Sequence, residues 1–220
     1  TIMPRQLIPA RICRAEIQIS NSRFIATLAP TFSVDEAKAF INRVKNEFSD
    51  ASHNVPVFII GHGTSVTAHS NDDGEPSGTA GRPALAVLQG SGLGDAAVVI
   101  TRYFGGTKLG TGGLVRAYGD AVRSVLEIVP HAEKISTHTC QIPMPYSLYE
   151  RVCLLIKAHH GILRDENFAV DVNITAEFAC AGFENFQQAL KELSHGSLTT
   201  DIIATNEAAI MPVGSFPSNQ

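Results

Sequence analysis

The chain has 220 residues, 44% of them apolar and 17% charged, with a formal charge of −4. That length and balance describe an ordinary globular protein of one or two domains, large enough to bury a core without staples. No run approaches the roughly 20 apolar residues that cross a bilayer, and the opening TIMPRQLIPARICRAE has no secretory hydrophobic region, so a cytoplasmic protein with no membrane partner is expected.

In chain order, residues 12–19 and 23–29 read as two strands joined by the polar turn Ser20-Asn21-Ser22. Ser33-Val34-Asp35-Glu36 is a capping-box start, and Val34, Ala37, Ile41, Val44 and Phe48 recur at helical spacing behind it. Residues 55–60 form a buried strand. Pro83 is tolerated only in a first helical turn, which puts a helix start near Gly81 or Arg82 and its end near Leu88. The continuous apolar run 96–100 suits a central strand covered on both faces. A loop over 102–111 then leads into a helix over 112–128 that buries Val115, Tyr118, Val122, Val125 and Val129.

A strand over 137–142 opens the second half. Leu148, Val152, Leu155 and Ile156 make a helix stripe, ended by Gly161 in the usual role of a terminal glycine. Residues 162–166 and 170–178 form a hairpin, in which Val170, Val172, Ile174, Ala176 and Phe178 alternate with polar residues. Phe183, Phe186, Leu190 and Leu193 mark another helix, and 198–204 a last strand. The order βαββαβ is ferredoxin-like. The chain is therefore expected to be α+β, with domains over 1–135 and 136–205, a short link near 135–137, and a frayed tail over 206–220.

Charge and glycine are unevenly spread. Residues 1–135 carry 13 Lys and Arg against 12 Asp and Glu, whereas 136–220 carry 4 against 9, so the acidity belongs to the second half. Twelve of the 18 glycines fall between Gly74 and Gly119, which marks a stretch where the backbone turns sharply or comes close to another group. Cys13, Cys140, Cys153 and Cys180 have no Cys-x-x-Cys pair or zinc-type spacing and read as apolar thiols.

Two segments could carry chemistry. In NDDGEPSGTAGRP, Asp72, Asp73 and Glu75 precede Thr79 and a helix start, a pattern for orienting a polar ligand; the local alternative is an acidic turn whose carboxylates cap backbone amides. A metal site lacks a matching second carboxylate or His cluster. In RYFGGTKLGTGGLVRAY, Gly105, Gly106, Gly112 and Gly113 let the backbone approach phosphate oxygens, while Arg82, Arg102, Lys108 and Arg116 supply charge and Tyr103 a stacking ring; Phe104 and Tyr118 could equally pack in the core. The string matches neither Walker A nor G-x-G-x-x-G. His53, His62 and His69 lack a nucleophile elbow to serve.

These two strings, with SRFIATL at 22–28, resemble the IMPACT family, in particular its bacterial branch, over about residues 7–204. The resemblance implies an N-terminal β/α domain like that of a small-subunit ribosomal protein and of elongation factor G domain IV, followed by a ferredoxin-like C-terminal domain. It also implies a setting in translation, where eukaryotic relatives act as regulators through protein partners. Ser20-Asn21 replaces a basic pair common in the family. The expectation is thus a non-enzymatic protein that binds RNA or the ribosome, or a protein of the translation machinery, through the glycine-rich basic face. The rival is an enzyme or binding protein for a small phosphorylated or nucleotide ligand, held between the 72–75 and 105–113 loops. No catalytic residue, metal or cofactor is expected, and the oligomeric state is left open.

Overall fold

A computed structural model describes residues 6–63 and 65–216. The chain forms two compact units, one over Gln6–Ala132 and one from Glu133 onward. The first unit contains β1 (Gln6–Pro9), β2 (Cys13–Ile19), β3 (Ser22–Pro30), α1 (Val34–Glu47), β4 (His53–Ile60), β5 (Thr67–Ser70), α2 (Gly81–Gly90), β6 (Ala96–Tyr103) and α3 (Gly110–Leu126). Its sheet runs in the order β2-β3-β6-β4-β5, antiparallel throughout.

The period-2 geometry of a strand explains why β6 can be apolar along its length. Ala96, Val98 and Ile100 face a core shared with Phe24, Ala26, Leu28, Val55 and Val57 under α2 and α3. Ala97 and Val99 face the other side, where Phe58 and Ala29 pack beneath Phe40, Ile41 and Val44 of α1. α1 begins as its sequence demands: Ser33 Oγ accepts the Glu36 N–H at 3.1 Å, and the Glu36 carboxylate reaches back to the Phe32 N–H at 2.9 Å. Ser20 (φ 45°) and Asn21 (φ 67°) are both left-handed, the signature of the two-residue turn that matches strand twist in a hairpin.

The second unit continues from β7 (His131–Met144) through a 3-10 turn to α4 (Tyr149–Ala158), β8 (Ile162–Phe168), β9 (Val172–Ala179), α5 (Cys180–Leu193) and β10 (Asp201–Pro212). β8 pairs with β9, β9 with β7, and β7 with β10, the ferredoxin-like order. Its core centres on Phe178, whose ring stacks on Phe186 at 4.2 Å and lies 5.6 Å from Phe183.

Several expectations need correction. The strands β1 and β5 have no clear sequence signature; both are four residues long. Arg102 and Tyr103 end β6 and do not belong to the loop, because β6 pairs as far as Arg23↔Tyr103. Val115 is 40% exposed, and Leu114, Ala117 and Ala121 take the buried face of α3. No link interrupts 135–137, since β7 runs through it. The tail is structured over 206–216: β10 extends to Pro212, Ala209, Met211 and Phe216 pack with Ile135 and Ile162, and the Gly214 N–H donates to Glu133 at 2.6 Å. The expected tail over 217–220 lies outside the described residues. At the end of α4 the left-handed residue is His160 (φ 58°), not Gly161. The Gly161 N–H closes the helix onto the Ile156 carbonyl, and a Cβ on Gly161 would sit 2.3 Å from the Phe178 ring. Packing, not backbone freedom, demands glycine there.

Candidate functional site

Of the three carboxylates in the acidic loop, Asp72 binds the loop's own backbone. Asp72 Oδ1 accepts the N–H groups of Gly81 at 2.8 Å and Ala80 at 3.1 Å, and Oδ2 accepts that of Gly78 at 2.8 Å. The amides at the start of α2, a potential anion site, are thus occupied by a residue of the chain itself. Partial burial opposes ionisation of Asp72, but the three N–H bonds outweigh it and hold the carboxyl below its usual pKa. Gly81 is required for this closure, because a Cβ would lie 2.8 Å from the Asn71 carbonyl oxygen. Asp73, left-handed at φ 49°, accepts from Lys45 Nζ at 2.5 Å and from the Asn54 N–H at 2.7 Å, and its carbonyl meets His53 Nδ1 at 2.7 Å. Thr79 donates to the Pro76 carbonyl at 2.6 Å. Arg82 is exposed on the first turn of α2, within electrostatic reach of Asp72.

Because the folded pKa of Asp72 is lowered, its contribution to stability is complete above the unfolded value near 4 and is lost as pH falls through the folded one. Asp72→Ala is expected to destabilise the first unit at neutral pH by about 0.5–2 kcal/mol, the usual worth of a helix cap, and to flatten the fall in stability below pH 4. Urea denaturation at pH 7 and pH 3 checks both parts. An unchanged acid profile in the variant would remove Asp72 from this role.

Glu75 joins the two candidate segments. Its Oε1 accepts from Arg102 Nη1 at 2.5 Å and from the Tyr118 hydroxyl at 2.7 Å, with His53 Nε2 at 3.8 Å. Glu75, Arg102 and Tyr118 are 8%, 5% and 0% exposed. The Arg102 guanidinium lies 5.5 Å from the centroids of both Phe24 and Phe104, while Phe24 meets Tyr118 edge-on at 5.3 Å. Burial first, and the bond to Glu75 second, push the Tyr118 phenol far above its ordinary pKa, so it stays a donor. Arg102, expected as a phosphate contact, is instead the buried counter-ion of Glu75, although its Nε has no partner among the described residues.

The stretch after β6 is laid over the β2–β3 turn. A Cβ on Gly105 would fall 2.0 Å from the Asn21 carbonyl oxygen, and the Gly105 N–H donates to Ser22 Oγ at 3.2 Å. Tyr103 donates its hydroxyl to Asp50 at 2.8 Å and packs under Arg23, whose guanidinium is 5.3 Å from the ring centroid. That bond to Asp50 raises the Tyr103 phenol pKa. Gly106 (φ +84°) and Gly110 (φ +70°) are turn glycines. A Cβ on Gly113 would meet that of Leu109 at 3.0 Å, but one on Gly112 would meet nothing within 4 Å, and its φ is not left-handed. Nothing in the fold asks for glycine at 112. α3 starts just before it, at Gly110, without a capping side chain and without an acid in its first turn. Lys108 and Arg116 beside it are exposed, with no ion-pair partner among the described residues.

The predicted residues therefore divide. Asp72, Asp73, Glu75, Thr79, Arg102 and Gly105 are engaged by other groups of the chain, whereas Lys108, Gly106, Gly112 and Arg116 remain open to solvent. Sequence reasoning missed His53 and Tyr118 as partners of Glu75; no spacing rule reports a contact between residues 43 positions apart.

Known proteins resemble this chain along most of its length. The Impact N-terminal domain matches residues 20–126, and a domain of unknown function, DUF1949, matches residues 142–197. An IMPACT family member of Haemophilus influenzae is 34% identical, over 93% of this chain and 100% of its own length. The chain belongs to the IMPACT family. Its similarity to the IMPACT family member YigZ of Escherichia coli is 36% identity over 89% of this chain and 97% of that one. A solved structure described as that of a hypothetical protein is 34% identical to this IMPACT-family chain, covering 92% of it and 98% of that chain with a TM-score of 0.59. Every residue of both candidate segments falls within the Impact N-terminal domain. Among the described residues no helix is long and apolar enough to cross a membrane.

Proposed function

We propose that this IMPACT-family chain is a non-enzymatic RNA-binding factor of the translation machinery, contacting RNA, free or on the ribosome, through the glycine-rich start of α3. The observation that carries the reading is the pairing of exposed Lys108 and Arg116, which have no ion-pair partner among the described residues, with a helix start at Gly110-Thr111-Gly112-Gly113 that has no side-chain cap. A helix N-terminus presents N–H groups to phosphate oxygens, and side-chain-free residues let a phosphate approach them. Gly112 supports the same reading, since glycine in a helix costs about 1 kcal/mol relative to alanine and the fold offers no return for it. Family membership supports the translational setting. Arg102 is not among the contacts, and Tyr103 stacks on Arg23 instead of standing free.

Gel-shift titration against single-stranded RNA over a range of salt tests the reading. Each phosphate contact contributes a log–log salt slope of about −0.7, so the double variant Lys108→Ala, Arg116→Ala should bind more weakly with a slope shallower by about 1.4. Absence of binding at low salt, or a variant with unchanged affinity and slope, would sink the proposal.

A further inference from the structure

The second unit carries an aromatic cluster in which Tyr149 packs against the core and two further rings stand exposed. The β8–β9 turn and the start of α4 bring Tyr146, Tyr149 and Phe168 together: the Phe168 centroid lies 6.4 Å from that of Tyr146 and 5.4 Å from that of Tyr149. Tyr146 and Phe168 are each 53% exposed, and Val170 at the turn is 94% exposed. The rings are held in place from below. Tyr146 donates its hydroxyl to the Ala169 carbonyl at 2.9 Å, and Tyr149 donates to Glu166 at 2.5 Å. A polar tip fixed in this way leaves the apolar faces presented to solvent with little conformational freedom left to lose on binding. Clusters of this kind mark interaction sites, whereas single exposed apolar residues do not.

Charge selects the partner. Residues 145–150 and 165–173 contribute four carboxylates, Glu150, Asp165, Glu166 and Asp171, and no base. The bases that flank these segments are Arg164, whose guanidinium is engaged by Glu177, and Arg151 and Lys157 on α4. Lys157 stands roughly 12 Å along the helix axis from Tyr149, at 1.5 Å per residue. An aromatic face attracts a cation through its quadrupole, and surrounding carboxylates raise the local concentration of cations while repelling polyanions.

We propose that this acidic aromatic tip is a docking surface for an arginine- or lysine-rich segment of a protein partner. Guanidinium or ammonium groups lie over the Tyr146 and Phe168 rings, the aliphatic stems of the same side chains cover Val170, and Glu150 and Asp171 meet neighbouring positive charges. Such a surface rejects nucleic acid, so it recruits a different class of partner from that of the α3 loop and stands whether or not that loop binds RNA.

Amide spectra of the isotope-labelled full chain, titrated with an (Arg-Gly)n peptide and with an (Glu-Gly)n peptide, test this. The basic peptide should shift the resonances of Tyr146, Phe168, Val170 and Asp171 in a saturable way, and the acidic peptide should not. Tyr146→Ala with Phe168→Ala should weaken binding by about fivefold or more, the combined loss of two exposed cation–π contacts. Glu150→Gln with Asp171→Asn alters only exposed positions and should weaken binding most at low salt. Shifts centred elsewhere, equal binding of the acidic peptide, or wild-type affinity in both double variants would overturn the proposal.

Discussion

Arg102→Ala should lower the stability of the first unit by about 3–5 kcal/mol, the penalty for removing one partner of a buried ion pair. The Glu75 carboxylate, 4% exposed at its side chain, would keep the Tyr118 hydroxyl but lose the guanidinium, leaving His53 Nε2 at 3.8 Å as the nearest base among the described residues. Phe24 and Phe104 would also lose the guanidinium between them. Glu75→Gln should cost a similar amount by leaving Arg102 charged and unpaired, and Arg102→Met combined with Glu75→Gln should cost clearly less than the two single effects added, because neither buried charge remains. The chain has no tryptophan, so urea denaturation is best followed by circular dichroism together with hydrogen exchange, which assigns the loss to one unit. A loss below about 1 kcal/mol, the scale of an exposed ion pair, would show that Glu75 and Arg102 do not depend on each other. The same result bears on RNA binding: an Arg102 variant that binds poorly reports an unsettled domain, and only Lys108 and Arg116 test the contact itself.

Phe178→Ala should destabilise the second unit by about 3–5 kcal/mol, the range for emptying a core phenylalanine site. Phe178 is 1% exposed, packs on Phe183 and Phe186, and lies where Gly161 leaves room for its ring. The cavity cannot collapse easily, since β9 is fixed between β7 and β8. Each unit has its own core, so hydrogen exchange should accelerate in residues beyond Glu133 while β3, β4 and β6 of the first unit keep their protection. Equal acceleration in both units would show that they unfold as one.

Much of the architecture was legible before any coordinates. The capping box at Ser33 and Glu36, the alternation expected from Val170 to Phe178, and the apolar run at 96–100 each report a local requirement that one element imposes on its own residues, although β9 begins only at Val172 and Val170 lies exposed in the turn before it. β10 was legible only at its start, where the strand expected over 198–204 overlaps it; its first eight residues are exposed, and its continuation to Pro212, held by pairing to β7, leaves no periodic trace. The partners of the charged groups in the two glycine-rich segments were less legible. Asp72 read either as a ligand-orienting group or as a cap on backbone amides, and the fold selects the cap, at the start of α2; Arg102 read as a phosphate contact, since charged residues are normally solvated, and only the fold shows that it neutralises Glu75.

The sequence by itself determined the family, the α+β class, the ferredoxin-like order of the second half and the uneven charge, all of which depend on pattern and composition along the chain. Tertiary structure alone decided which polar groups are free. Glu75 meets Arg102 and Tyr118, Gly105 meets Asn21, and Tyr146 meets Phe168 across separations of 27, 43, 84 and 22 residues. Contacts at such distances are set by how sheets and helices pack, so burial and pairing, which decide whether a charge can hold a ligand, become visible only when the chain is folded.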